Sequence, residues 1–286
     1  MTAREVATIF EAIAPLDSGV PGDQLGFIWG NPETRVEGIG CAWCLHAESI
    51  RCCVQRELNM IICHEALWLP SQNSPWYEGP DESHILPNRQ RRELLEKHGL
   101  VVYRSHSNWD ALLGDGIADS AIACLGLKGL KQVSRQKFFS VQELPQPLSL
   151  QELRNAVEKG LGFAGCRVFG DDGKRIRRFA FLIGGFGENQ LHMPQAAMEM
   201  GAEAIIIGEM SEFIVIACLE MGVPVIETLH SVSEIPGIKR QASLLAERLG
   251  RLRVQYIPSG ALSFERASEP NRSHKANPGY RASRSV

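Results

Sequence analysis

AEAIIIGEMSEFIVIACLEMGVPVIETLH, residues 202–230, decides the fold class. AEAIIIGE and VPVIETLH are short apolar runs, the pattern of strands buried on both faces of a parallel sheet. SEFIVIACLEMG between them reads as the connecting helix, so the segment is a strand–helix–strand unit with a right-handed crossover. The grammar continues on both sides. RRFAFLIGG (177–185) reads as a strand and ENQLHMPQAAMEMG (188–201) as a helix. PGIKRQASLLAERLG (236–250) is a further helix and RLRVQYIP (251–258) a last strand, extending the same sheet.

The first half has a similar grammar. An amphipathic helix carries Val6, Ile9, Phe10 and Ile13 at helical spacing. After the Gly/Pro-rich break SGVPGDQLG come strand GIGCAWCL (38–45), helix AESIRCCVQREL (47–58) and strand NMIICHEAL (59–67). A long polar loop, Pro70 to Pro87, leads to a helix near Asn88–His98, strand LVVYRSH (100–106) and a helix starting near Asn108. Periodicity weakens between Gly129 and Arg175, where one extended piece and one helix entered at Ser149 are expected. The fold class is therefore α/β, with two αβ subdomains built on largely parallel sheets. The expected division is 1–130, a connecting segment 131–175, a second subdomain 176–262 and a disordered polar tail 263–286.

With 286 residues, 44% apolar and 22% charged, the chain can bury sizeable cores. A net charge of −3 gives no electrostatic reason to expect nucleic acid or a membrane surface as partner. The basic clusters Arg89, Arg91, Arg92 and Lys174, Arg175, Arg177, Arg178 read as solvated faces. No apolar run reaches the ~18 residues of a membrane span, and the N-terminus lacks the pattern of a signal peptide. A cytoplasmic location is expected. Thiols stay reduced there, so the eight cysteines read as core residues or ligands. Cys41 and Cys44, three apart on a strand, point to opposite faces and read as packing.

In open α/β sheets ligands bind at the carboxyl ends of strands, and histidines occur at three of them. His64 and Glu65 end NMIIC; His106 ends LVVYRS with Asp110 four residues on; His230 ends VPVIETL with Glu234 four residues on. Imidazole and carboxylate together suit borderline divalent metals. Each pair alone also has a plainer reading. A single His at a strand end is more often a hydrogen-bonded polar group. Asp110 and Glu234 would complement helix starts whether or not a metal binds.

Four stretches add a resemblance: GDQLGFIWGNPETRVEGI (22–39), IICHEALW (61–68), YRSHSNWDA (103–111) and LHSVSEIPGIKRQASLLAERL (229–249). Together they resemble the NIF-three-like family, hexameric dinuclear-metal proteins known as type 2 GTP cyclohydrolase I homologues, over roughly residues 5 to 260. The resemblance implies two divalent ions per chain (Zn, Fe or Mn) in the cleft between the subdomains, and a homohexamer. It places the family's paired histidines on Cys63 and His64, its aspartate on Asp110, and its last two ligands on His230 and Glu234. Cys63 departs from the pattern. A strand neighbour of His64 points the other way, so Glu65 ranks above Cys63 as the substitute ligand. A second departure is GEMSEF (208–213), which lacks the family's histidine.

Glu65, Asp110 and Glu234 carry −3 against +4 for two divalent ions, and a bridging hydroxide would meet the remainder. His106 is the candidate proton shuttle. GGFGEN, with Gly184, Gly185 and Gly187, is a candidate anion-binding turn, a tight turn being the plainer reading. The leading function is a metal-dependent hydrolase of a small phosphorylated or nucleotide-like substrate. The alternative is a metal-binding scaffold or regulatory ring without turnover.

Overall fold

The computed structural model describes residues 1–70, 79 and 81–266. Helix α1 (Ala3–Glu11) is entered through a reciprocal cap between Thr2 and Glu5. There follow β1 (Gly26–Trp29), β2 (Gly38–Ala42), α2 (Ala47–Gln55), β3 (Met60–Cys63), α3 (Leu86–Lys97), β4 (Val101–Arg104), α4 (Ser107–Asp110) and α5 (Ile117–Cys124). The middle of the chain supplies β5 (Lys131–Arg135), β6 (Phe139–Ser149), α6 (Leu150–Leu161), β7 (Arg167–Phe169) and β8 (Arg175–Leu182). The last part holds β9 (Gly185–Phe186), α7 (His192–Glu199), β10 (Ala204–Ile207), β11 (Glu209–Met210) and α8 (Glu212–Glu220). It closes with β12 (Val225–Glu227), α9 (His230–Leu249), β13 (Arg253–Ile257) and α10 (Ser263–Arg266).

The first sheet has the order β1-β4-β3-β2-β13 and is parallel except for β1 against β4. The second has the order β5-β6-β8-β10-β12-β7. Its centre, β8, β10 and β12, is parallel, while β5, β6 and β7 pair antiparallel. Strands β9 and β11 form a small parallel pair beside it.

Alternation along the strands builds three apolar layers. Met60 and Ile62 of the first sheet and Phe179 and Phe181 of the second share one core with Phe10, Trp109, Ile117 and Ile238. Ile61 and Cys63 face the outer layer under α2 and α3, and Ala180 and Leu182 face the layer under α7 and α8. The two sheets thus lie on either side of a shared layer that contains α1, α5, α6 and α9.

Several sequence expectations need correction. The last strand, β13, pairs with β2 and not with the second sheet. Strands β5 and β6, in the expected connecting region, are members of the second sheet. Helix α9 begins at His230, so Pro236 lies inside it and not in its first turn. Arg91 is buried and donates to Leu67 O, so it is not part of a solvated face, while Arg89 is exposed and Arg92 half-buried. Ser263–Arg266 is helical. The rest of the expected disordered tail, 267–286, and residues 71–78 and 80 of the polar loop lie outside the described residues.

Candidate metal centre

The site forms where the carboxyl ends of the first sheet meet the start of α9. On β3 the alternation sends Cys63 outward and turns the next side chain, His64, to the shared layer. His64 is buried, with Nδ1 3.0 Å from Ser105 O. Its Nε2 faces Asp110 Oδ1 and Glu234 Oε2, each at 3.5 Å. His230 and Glu234, one helical turn apart on α9, present Nε2 and Oε1 3.4 Å apart. Glu65 Oε1 lies 3.2 Å from the same His230 Nε2. The His106 ring stands edge-on to His64, with centroids 4.9 Å apart.

Three ligand groups result: His64 with Glu65 and His106; His64 with Asp110 and Glu234; Glu65 with His230 and Glu234. Every imidazole has its Nδ1 engaged, by Ser105 O, by Asp23 Oδ2 at 2.9 Å from His106, and by Glu209 Oε1 at 3.2 Å from His230. Such outer partners fix the ring so that the other nitrogen serves a metal. His64 Nε2, Glu65 Oε1 and Asp110 Oδ1 are buried without a hydrogen-bond partner. Buried polar atoms are otherwise nearly always paired. A cation among these orphans would satisfy them, and the donor set of imidazoles and carboxylates fits a borderline divalent ion.

Electrostatics without a metal point the same way. Burial holds His64 down, to about 4, and so neutral. Burial and the neighbouring carboxylates Glu234 and Glu65 push Asp110 up. For Glu65, burial alone would raise the value, but His230 outweighs it and the value falls to about 2. Burial would lower His230, yet Glu234, Glu209 and Glu65 hold it well above the ordinary range. A proton on His230 therefore balances the carboxylates where a metal would otherwise do so. His106 rises to about 9, its burial being outweighed by the bond to Asp23.

The structure brings together His64, Glu65, Asp110, His230 and Glu234, with His106 at their edge. Cys63 lies in the outer layer, where burial pushes its thiol up to about 12, and it joins none of the groups. The glycines of GGFGEN play a spatial part. A Cβ at Gly184, where φ is +64°, would stand 2.6 Å from Glu234 Oε1 and 2.8 Å from His230 Nε2. The Gly184 N–H donates to Ser233 Oγ and the Gly187 N–H to Gln190 Oε1, so neither is a free anion donor. Gly185 pairs with Glu209 in the small sheet.

Three residues at the site carried no role in the sequence reading. Asp23 accepts from Ser107 Oγ at 2.6 Å and from Arg104, and it holds His106 across 83 positions of chain. Glu209 stands in GEMSEF, where only the missing histidine had drawn notice. Trp43 donates from Nε1 to Glu234 Oε2 at 2.6 Å. The one available signal was that Asp23 lies within the resemblance-bearing stretch GDQLG. A cavity of about 700 Å³ opens over the cluster and is lined in part by Asp23, Arg104, Phe138, Phe186 and Met193.

Comparison with known proteins gives a consistent picture. The family model Duf34/NIF3 (NGG1p interacting factor 3) matches residues 1–260. A Clostridium acetobutylicum protein named GTP cyclohydrolase 1 type 2 homolog is 25% identical over 261 residues, covering 89% of this chain and 93% of the relative. A Clostridium perfringens protein of the same name is 26% identical over 255 residues, covering 87% and 93%. Among solved structures, a Bacillus cereus protein related to NIF3 superposes with a TM-score of 0.73 at 15% identity, over 90% of this chain and 96% of that one. A Staphylococcus aureus hypothetical protein gives 0.74 at 14%, over 97% and 99%. At these identities the two structures speak for the fold alone.

Proposed function

The chain belongs to the Duf34/NIF3 family, and from that premise we propose that it is a dinuclear-metal-dependent hydrolase of a small phosphorylated or nucleotide-like substrate. One observation carries the reading: the two oxygens of Glu234 face different imidazoles, Oε2 at 3.5 Å from His64 and Oε1 at 3.4 Å from His230. A carboxylate so disposed suits a bridge between two cations. His64 and Asp110 would complete one ligand set, Glu65 and His230 the other, for Zn, Fe or Mn. When bound, two such ions supply Lewis acidity and acidify a water near neutral pH.

The protein's own groups would do the rest. Trp43 and Glu209 hold the Glu234 carboxylate and His230 in place. Asp23 accepts from His106 Nδ1, so the proton that moves is the one on Nε2, beside the cavity. The open cavity favours turnover over a closed structural site, and so over the scaffold reading. Homo-oligomeric, ring-like assembly and a cytoplasmic location belong to the same proposal. Among the described residues no helix is long and apolar enough to cross a membrane.

Plasma mass spectrometry on untagged protein tests the centre. About two metals per chain are expected, with turnover of small phosphoesters that stops when the metal is stripped. A full complement of metal with no turnover across phosphoesters and nucleotides would leave the scaffold as the better account.

A further inference from the structure

The cavity has two chemically different sides. Glu65, Asp110, His230 and Glu234 form one. The other comes from the second sheet: Phe138 before β6, Ile183 after β8, Phe186 in β9 and Met193 in α7. This side is apolar, with Ile183 and Phe186 buried and Phe138 and Met193 half-buried against the neighbouring cores.

Positive charge is scarce around the cavity. Arg104 is the one Arg or Lys among the described residues that line it. Its guanidinium is buried and already donates to Asp23 Oδ1, Gln24 O and His64 O. Lys137, next to Phe138, donates from Nζ to Gly19 O at 3.0 Å. Five carboxylates line the space: Asp23, Glu65, Glu82, Asp110 and Glu234. Arg92 meets Glu82 at 3.7 Å and Arg104 meets Asp23, which leaves Glu65, Asp110 and Glu234 for two divalent ions, one positive charge in surplus. Polyphosphate sites are built differently, with arginine or lysine clamps, or rows of free backbone N–H groups, along each phosphate. Here the N–H groups of Gly184 and Gly187 are engaged within the protein.

We propose, resting on the dinuclear reading above, that the substrate carries one anionic group, held at the metal side, joined to a flat ring that lies on the Phe138–Phe186–Met193 wall. Compounds with a chain of phosphates are disfavoured because, among the described residues that line the cavity, no unengaged Arg or Lys meets the charges beyond the first. The ring gains by leaving water against an apolar surface, and the single anion uses the two ions without excess charge.

Calorimetric titration of the metal-loaded protein tests this with three probes: inorganic phosphate, phenylphosphonate, whose C–P bond a phosphoester hydrolase does not cleave, and inorganic tripolyphosphate. Metal content is measured before and after each run. Phenylphosphonate is expected to bind about tenfold tighter than inorganic phosphate, and Met193→Ala to remove most of that gain. Tripolyphosphate is expected to bind more weakly than phenylphosphonate. Equal affinities for the first two probes, tighter binding of tripolyphosphate, or no binding of phenylphosphonate by protein that retains its metal would each overturn the proposal. Protein that takes up no metal overturns the dinuclear reading itself, and this inference with it.

Discussion

His230 and Glu234, four residues apart on α9, present Nε2 and Oε1 3.4 Å from each other, and Glu65 Oε1 approaches the same nitrogen at 3.2 Å. One helical turn thus supplies a ligand pair, and the tip of β3 supplies its third member. Deleting the imidazole removes the centre of that group. His230→Ala is expected to lower metal content by at least about half, because the set built on Glu65 is lost. Unchanged metal content in the variant would refute the assignment.

Cys63→Ser separates the two candidate substitutes for the family's first histidine. The thiol lies in the outer apolar layer, away from the ligand groups. Metal content should stay at the native level, while stability falls by about 1–3 kcal/mol because a hydroxyl is buried among apolar side chains. Chemical denaturation and metal analysis on one preparation read both effects. Loss of metal with stability intact would instead make Cys63 a ligand.

Gly184→Ala tests the close approach of the chain to the ligands. The added Cβ would meet Glu234 Oε1 at 2.6 Å and His230 Nε2 at 2.8 Å, at a φ of +64°. The backbone strain alone costs about 1–2 kcal/mol, and the displaced carboxylate should weaken metal binding by about tenfold or more. A competition titration with a chelator measures it. Native affinity would show that the ligands have room to move.

Metal uptake should release protons. In the metal-free protein His230 is held well above its ordinary value, chiefly by Glu234 against the cost of burial, and burial pushes Asp110 up. His230 is then protonated near neutral pH and must lose that proton to serve as a ligand, so at least about one proton per chain should appear on loading. The sign follows: affinity rises with pH and falls in acid. A pH-stat titration counts the protons, and uptake without release would contradict the protonation pattern.

Asp23→Asn tests the hold on His106. Burial would lower the native imidazole, but the Asp23 bond outweighs it and pushes His106 up to about 9. In the variant it should fall toward or below the ordinary value of about 6.5. Proton NMR of the metal-free protein follows the ring. A titration still near 9 would mean that other groups set it.

Local pattern was enough for much of this protein. The apolar runs of β3, β4, β8, β10 and β12 and the cap at Ser149 that starts α6 are properties of neighbouring residues, so the chain alone announced them. The same holds for His64 and His106 just past the ends of β3 and β4, and for the i, i+4 spacing of His230 and Glu234, although His230 opens α9 and does not end β12. The tertiary structure decided what depends on distant partners. The chain could not tell that β13 returns to pair with β2, because a strand's own pattern does not name its neighbour. Nor could it assign Asp23 to His106, Glu209 to His230 or Trp43 to Glu234. Those pairs are 83, 21 and 191 residues apart, and a hydrogen bond across such a span is set by where the sheets and α9 bring the chain, not by its local sequence.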